Sequence, residues 1–204
     1  MRDGRWMRST RSVLAAMLLL MPAAMPGGCA SVKELAALRQ VDFRYDRIAD
    51  PEIAGLPLSS LAAYDQLSIV DVGRLALAIA AKDVPLDLTV HVEGRNPETN
   101  KATARLVALD WAYLVDDLEI VSGGLTEETI FPPGVPRDLP LRVRFNLVDA
   151  FGTDGKVLFD TALVLAGQRT SSRKATLRLV PTIETALGPI RYPAPITLDL
   201  GSAR

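Results

Sequence analysis

Alternation of apolar and polar residues is the feature that most constrains this fold. From Leu86 to Glu93, leucines and valines occupy every second position, and polar residues stand between them. Successive side chains of a β-strand point to opposite faces, so this pattern predicts a strand with one face in a core and the other in water. The segment from Leu141 to Leu147 alternates in the same way.

Short segments of this kind recur at intervals of about 8 to 12 residues, separated by turn-forming residues. We expect Gly123 and Gly124 to break one of them, because glycine weakens strands. A series of this kind is typical of a β-sandwich, and we predict a mainly β fold. The predicted strands are 41–46, 53–56, 86–93, 102–115, 118–122, 129–131, 141–147, 175–183, 190–192 and 196–200.

Two segments change to helical spacing. In residues 71–81, Val72, Leu75 and Ile79 fall on one face of a helix, and Asp71 is expected to cap its first turn. Residues 156–167 show a similar pattern, and Gly167 is a plausible C-terminal stop. We therefore predict two short helices beside the sheets.

The N-terminal segment has the features of an export signal. Four arginines precede an apolar run from Val13 to Met25, which is too short for the about 20 residues that span a bilayer. Two glycines then precede Cys29. This arrangement resembles a bacterial lipoprotein signal, which implies cleavage before Cys29 and lipid attachment to it. We predict a signal peptide at 1–28, a tether at 29–40 and a single domain at 41–204.

A lipid anchor at Cys29 determines the expected location. Each buried CH₂ contributes about 0.8 kcal/mol, so the three acyl chains of a lipoprotein hold it on a membrane almost permanently. In the resembling enterobacterial lipoproteins, a residue other than Asp after the cysteine, here Ala30, goes with the outer membrane. We expect an envelope protein that faces the periplasm. The alternative is an ordinary secretory peptide whose cysteine happens to lie near the cleavage site.

Composition restricts the possible partners and cofactors. The chain has one cysteine, which the lipid would occupy, so neither a disulfide framework nor a cysteine-ligated metal site is possible. The net charge of −1 includes the arginine-rich signal, so the mature chain is more acidic, which argues against nucleic acid. No phosphate-binding glycine motif occurs, which argues against nucleotides. We expect no cofactor and no metal.

Catalytic candidates are few. His91 is the single histidine and lies on the polar face of a predicted strand, which we interpret as a solvent-facing position. The acidic pairs Asp116-Asp117 and Glu127-Glu128 supply carboxylates for acid–base chemistry or calcium, but adjacent strand residues point to opposite sides. A turn and a solvated loop are the favoured interpretations, and we predict no catalytic residue and no enzyme.

Five residues are candidates for a ligand or partner surface. Arg169, Arg173 and Lys174 form a local basic cluster, for which a solvated loop is the favoured interpretation and contact with anionic lipid head groups is the alternative. Trp111 and Tyr113 share one face of a predicted strand, where they line an apolar groove or fill the core. We favour the core, because aromatic side chains bury the most area per residue.

One part of the sequence resembles a known family. Asn96-Pro97 follows an alternating strand, and after it comes Leu109-Asp-Trp111-Ala-Tyr-Leu-Val-Asp116-Asp-Leu-Glu-Ile120-Val-Ser122-Gly123. This order resembles the water-stress and hypersensitive-response (WHy) domain of the folded late embryogenesis abundant (LEA) proteins, which has bacterial lipoprotein members. The resemblance covers about 86–147. It implies an immunoglobulin or fibronectin type III-like sandwich, not known as an enzyme, with a role in desiccation or stress tolerance.

Together these features predict a non-enzymatic, lipid-anchored envelope protein linked to stress tolerance, which acts through protein or lipid binding. Two alternatives remain. A carrier of lipids or other apolar ligands requires a cavity between the sheets or beneath the helix at 71–81. An assembly module of an envelope complex requires an exposed apolar patch, typically about 300–600 Å² in area.

Overall fold

The computed structural model describes residues 41–169, 173–184 and 188–201. In these residues ten strands form two antiparallel sheets that share one apolar core, which confirms the predicted β-sandwich. Cys29 and the predicted signal and tether lie outside the described residues. The strands are β1 (Asp42–Ile53), β2 (Leu56–Pro57), β3 (Pro85–Arg95), β4 (Ala104–Val115), β5 (Leu118–Leu125), β6 (Thr129–Phe131), β7 (Pro136–Asn146), β8 (Ala175–Ile183), β9 (Ile190–Arg191) and β10 (Ile196–Asp199).

Sheet 1 has the strand order β2-β1-β3-β7, and sheet 2 has the order β10-β8-β4-β5. In sheet 2, β6 pairs with β4 and β9 pairs with β8. The alternation in β3 has the predicted result, because Leu86, Leu88, Val90 and Val92 are buried in the core. The two sheets contact through side chains such as Tyr113 of β4 and Phe145 of β7, whose ring centroids lie 6.0 Å apart.

The N-terminal strand is longer than expected. β1 continues through residues 46–53, with register irregularities after Tyr45 and after Ala49. The separate strand predicted at 53–56 is therefore wrong. Ala54 and Gly55 both have positive φ and turn the chain from β1 into β2. The alternation in this region is interrupted by the bulges, which is why the sequence pattern did not show one continuous strand.

The predicted break at Gly123 and Gly124 is also wrong, because β5 continues to Leu125. Gly123 pairs with Trp111 across the sheet. A Cβ atom at Gly123 would lie 2.5 Å from Cζ2 of Trp111, so the absent side chain makes room for the indole ring. Glycine here is a packing requirement and does not end the strand.

Three α-helices occur in the described residues: α1 (Ile69–Ala80), α2 (Leu147–Phe151) and α3 (Gly155–Leu165). The two predicted helices correspond to α1 and α3, and the short α2 was not predicted. The cap of α1 is Ser68, whose hydroxyl accepts a hydrogen bond from the Asp71 backbone N–H. Asp71 is therefore the N3 residue of a capping box and not the cap that we expected.

Gly167 ends α3 as predicted. It has a φ of 71°, in the left-handed region, and its N–H donates to the Val164 carbonyl at 3.0 Å. The next N–H, of Gln168, donates to the Leu163 carbonyl at 2.9 Å. These two bonds form a Schellman motif, which satisfies carbonyls that the helix leaves without partners.

The Asn96-Pro97 step follows the end of β3, as predicted, and Asn96 is fully buried. Its side-chain amide donates to the carbonyls of Phe131 at 2.8 Å and Ala102 at 3.0 Å. Its oxygen accepts from the Asn100 side chain at 2.7 Å. One side chain therefore joins the loop at 96–102 to the end of β6 at this end of the sandwich.

We expect Gly123→Ala to lower the free energy of unfolding by about 1–3 kcal/mol, because the new methyl group overlaps the buried Trp111 ring. Gly124→Ala is the matched control, since its Cβ would meet only ordinary contacts at 3.6 Å or more. Urea unfolding of both variants measures the difference. Equal effects at the two glycines would contradict the packing role of Gly123.

Candidate functional site

A cleft of about 290 Å³ opens at the edge of the sandwich where β1 of sheet 1 lies beside β10 of sheet 2. The C-terminal end of α3 forms one of its walls. Two other depressions, of about 500 and 410 Å³, are more open to solvent. The cleft is lined by Tyr45, Ile48, Val164, Leu165, Gly167, Gln168, Arg169, Arg173, Ala175, Leu200 and Gly201.

The turn after α3 positions this wall. A Cβ atom on Gly167 would lie 3.8 Å from Cδ1 of Ile48 and 4.0 Å from the hydroxyl oxygen of Tyr45. The left-handed glycine therefore brings the chain close to β1 and directs Gln168 and Arg169 to the rim of the cleft. A residue with a side chain is strained in this conformation.

Two of the predicted basic residues lie at the cleft. Arg169 forms an ion pair with Asp160 of α3 at 2.8 Å. Arg173 forms one with Asp116 at 3.4 Å, and its guanidinium carbon lies 5.1 Å from the centroid of the Phe151 ring. Both arginines are partly exposed. Lys174 does not line the cleft, and its backbone N–H donates to Asp116 at 2.9 Å.

The two aromatic candidates are buried in the core, as the sequence analysis favoured. Tyr113 has no exposed surface, and its hydroxyl donates to the carbonyl of Leu165 at 3.2 Å. Because Leu165 lines the cleft, Tyr113 supports the cleft from the core side. Trp111 packs on Gly123 and is not among the lining residues. The structure therefore connects Tyr113, but not Trp111, to the site.

The other candidates from the sequence lie elsewhere. Asp116 and Asp117 both have positive φ and form the turn between β4 and β5. Glu128 forms an ion pair with Arg105 at 3.4 Å. His91 lies on the outer face of sheet 1, where its Nδ1 is 2.8 Å from Asp138, and its side chain is only 13% exposed. In the described ranges, no cluster of histidine, cysteine and acidic residues suits a metal ion.

Two tyrosines have raised pKa values, Tyr45 in the cleft wall and Tyr113 behind it in the core. Burial raises the pKa of Tyr113. Burial also raises the pKa of Tyr45, with a smaller contribution from Asp46 in the same direction and an opposing one from a backbone hydrogen bond at Ile48. Both phenols are therefore neutral at physiological pH. The cleft combines an apolar wall, a neutral phenol and two guanidinium groups, a set that suits binding of an amphiphile.

Sequence reasoning missed the part of the site that β1 supplies. Tyr45 and Ile48 come from this strand, on either side of a register irregularity that follows Tyr45. Tyr45 was visible as one apolar position of a predicted strand. Neither residue type indicates a cleft, because the site forms only when β1, α3 and β10 come together.

Among the described residues, no helix is both long and apolar enough to span a membrane. No family model matches the chain. No curated protein matches its sequence.

The solved structures that are similar to the chain include two that each share 11% sequence identity with it. One is a crystal structure of a protein from Archaeoglobus fulgidus, with a TM-score of 0.35; the match covers 56% of this chain and 82% of that one. The other is the solution structure of a candidate LEA protein, with a TM-score of 0.41, covering 82% of this chain and 73% of that one. At this identity and TM-score, neither likeness identifies a family or a function.

The raised pKa of Tyr113 gives the protein a pH-dependent stability. The folded state keeps Tyr113 neutral, whereas an unfolded chain ionises it above its ordinary pKa of about 10. Stability is therefore retained below about pH 10 and falls as the pH rises further, by at most about 1.4 kcal/mol per pH unit for this group. Tyr113→Phe should make this fall smaller in urea unfolding followed from about pH 9 to about pH 11.

Tyr192→Phe is the control, because it keeps Tyr113 and should keep the same fall. At neutral pH, Tyr113→Phe also loses the hydrogen bond to Leu165, which contributes about 1 kcal/mol. An unchanged pH dependence in Tyr113→Phe would show that this phenol does not control stability at high pH.

Proposed function

We propose that this chain is a non-enzymatic, lipid-anchored envelope protein that binds an amphiphilic molecule in the cleft between β1, β10 and α3. The observation that carries the proposal is the combination of apolar and basic side chains around one cavity. Of the functions considered for the sequence, a carrier of lipids or apolar ligands is the one that requires a cavity, either between the sheets or beneath the helix at 71–81.

The dimensions of the cleft favour a small occupant. Ligand pockets usually measure about 300–1,000 Å³, and this cleft of about 290 Å³ is at the lower end of that range. Ile48, Val164 and Leu200 supply apolar contact for a short chain, while the arginines at the rim suit a polar head. The cleft therefore fits one short acyl chain better than a complete diacyl lipid.

The proposed anchor keeps the cleft close to a source of such molecules. The chain from Cys29 to Val41 reaches at most about 40 Å when fully extended. A domain on a link of this length stays near the bilayer surface, where free and bound lipids are concentrated. The sequence resemblance to the WHy domain supports a role in desiccation or stress tolerance, in which the protein binds lipid released from a damaged envelope.

A second candidate function is assembly of an envelope complex. Ile69, Val70 and Leu77 of α1 are 92%, 71% and 75% exposed, respectively. Large apolar side chains exposed together on one helix are typical of a contact surface for another molecule. This surface is separate from the residues that line the cleft.

The anchor is tested by the lipid on Cys29. We expect metabolic palmitate labelling and the intact mass of the membrane fraction to show acylated wild type. Cys29→Ser should lose the label and leave the membrane, because the predicted attachment atom is removed. Cys29→Ala is a second variant with the same expectation. A wild-type protein without label would favour a secreted sandwich and remove the anchor from the proposal.

Binding in the cleft is tested by filling it. We expect native mass spectrometry of the protein from cells to show an additional small mass that organic extraction removes. Ala175→Leu should abolish this cargo, since Ala175 lines the cleft and the larger side chain occupies its volume. Ala108→Leu, on β4 and outside the cleft, is the matched control and should retain the cargo. Cargo that persists in Ala175→Leu would contradict binding at this position.

A further inference from the structure

We infer that the cleft selects amphiphiles whose head group is an anion, and that Arg169 and Arg173 hold this head. The inference rests on the proposed function, because it specifies the ligand of the same cleft. The ligand class has a head group with negatively charged oxygen atoms on a single apolar chain. Fatty-acid carboxylates and phosphate monoesters both have this chemistry.

The side chains around the cleft favour an anion. Arg169 and Arg173 are among its lining residues, and no acidic side chain is present among the described residues that line it. These two arginines stand on a chain that is acidic overall. Each guanidinium has a carboxylate partner outside the cleft, and the C-terminal end of α3 adds a partial charge of about −0.5, so the rim carries no large net charge. The rim instead offers an anion guanidinium N–H donors on a wall that contributes no carboxylate of its own.

Each arginine is held from outside the cleft by a carboxylate on another element. Asp160 of α3 lies 2.8 Å from Arg169, and Asp116 of the β4–β5 turn lies 3.4 Å from Arg173. The Phe151 ring also contacts the Arg173 guanidinium. A guanidinium carries five N–H donors, so a carboxylate on one side does not exhaust its capacity to donate to a second acceptor. The pairs limit the side-chain motion that anion binding would otherwise have to restrict.

The remaining walls determine where the apolar chain lies. Three apolar residues line the cleft from different elements: Ile48 of β1, Val164 of α3 and Leu200, which follows β10. With the head at the arginines, the chain contacts these side chains along the interior of the cleft. The neutral Tyr45 hydroxyl, close to Gly167, adds no charge that would repel an anion.

The test compares head groups on one apolar chain. Octyl sulfate, octylammonium and octyl glucoside are titrated into the delipidated full mature chain by calorimetry, below their micelle concentrations. We expect octyl sulfate to bind at least about 10-fold more tightly than the other two, since only its anionic head makes charge-assisted hydrogen bonds to the guanidinium groups. This preference should shrink at high salt, because exposed charges are screened.

Substitutions test which side chains bind the anionic head group of the ligand. Arg169→Gln with Arg173→Gln should remove the preference for octyl sulfate while octyl glucoside binding stays within about 2-fold. Arg142→Gln, an exposed arginine of β7 outside the cleft, is the charge-matched control and should change neither. The single variants Arg169→Gln and Arg173→Gln should each reduce the preference, and they serve as second variants if the double variant is unstable.

The two failures are distinguishable. If the three probes bind equally and the arginine variants change nothing, the anionic head is wrong, whereas loss of all binding in Ala175→Leu would still support the cleft. If no probe binds the wild type, the proposed function fails together with the inference. Tighter binding of octanoate than of octyl phosphate supports a fatty-acid source, and the reverse order supports a phosphate ester.

Discussion

The burial of α3 in the apolar core that the two sheets share is the interaction on which the architecture of this protein depends. Leu158, Phe159, Ala162 and Leu163 have no exposed surface, so the helix is a part of the core and not an external addition. Fully burying a large apolar side chain contributes about 1.5–3 kcal/mol, and several such residues in one helix are a large share of a typical domain's stability. The helix therefore belongs to the same core as the inner faces of the two sheets.

The position of α3 also creates the cleft. Its last carbonyls are satisfied by the Schellman bonds and by the hydroxyl of Tyr113 in sheet 2, while Gly167 after it lies against β1 of sheet 1. The space left between this turn and β10 is the cleft. A fixed helix end therefore has two roles: it completes the core on one side and forms a wall for a ligand on the other.

Much of the fold was predictable, because each strand of a half-buried sheet carries its own alternation. β3 and β7 were visible in this way, and Gly167 was visible as a helix stop. The failures have local physical causes. The bulges of β1 interrupt its period, and Gly123 is glycine because of the Trp111 ring on the neighbouring strand, which no local pattern reveals. The site was predictable only in part, through its two arginines.

The sequence by itself determined the two-sheet class, the helical segments and the presence of a basic cluster in an acidic chain, because these depend on side-chain periodicity and on composition. The tertiary structure alone decided which cluster residues face a cavity and which aromatic residues are core. Tyr45 of β1, Arg173 before β8 and Leu200 after β10 are far apart in the chain and meet at one cleft. Such a meeting follows from strand order and helix packing, which local sequence patterns do not encode.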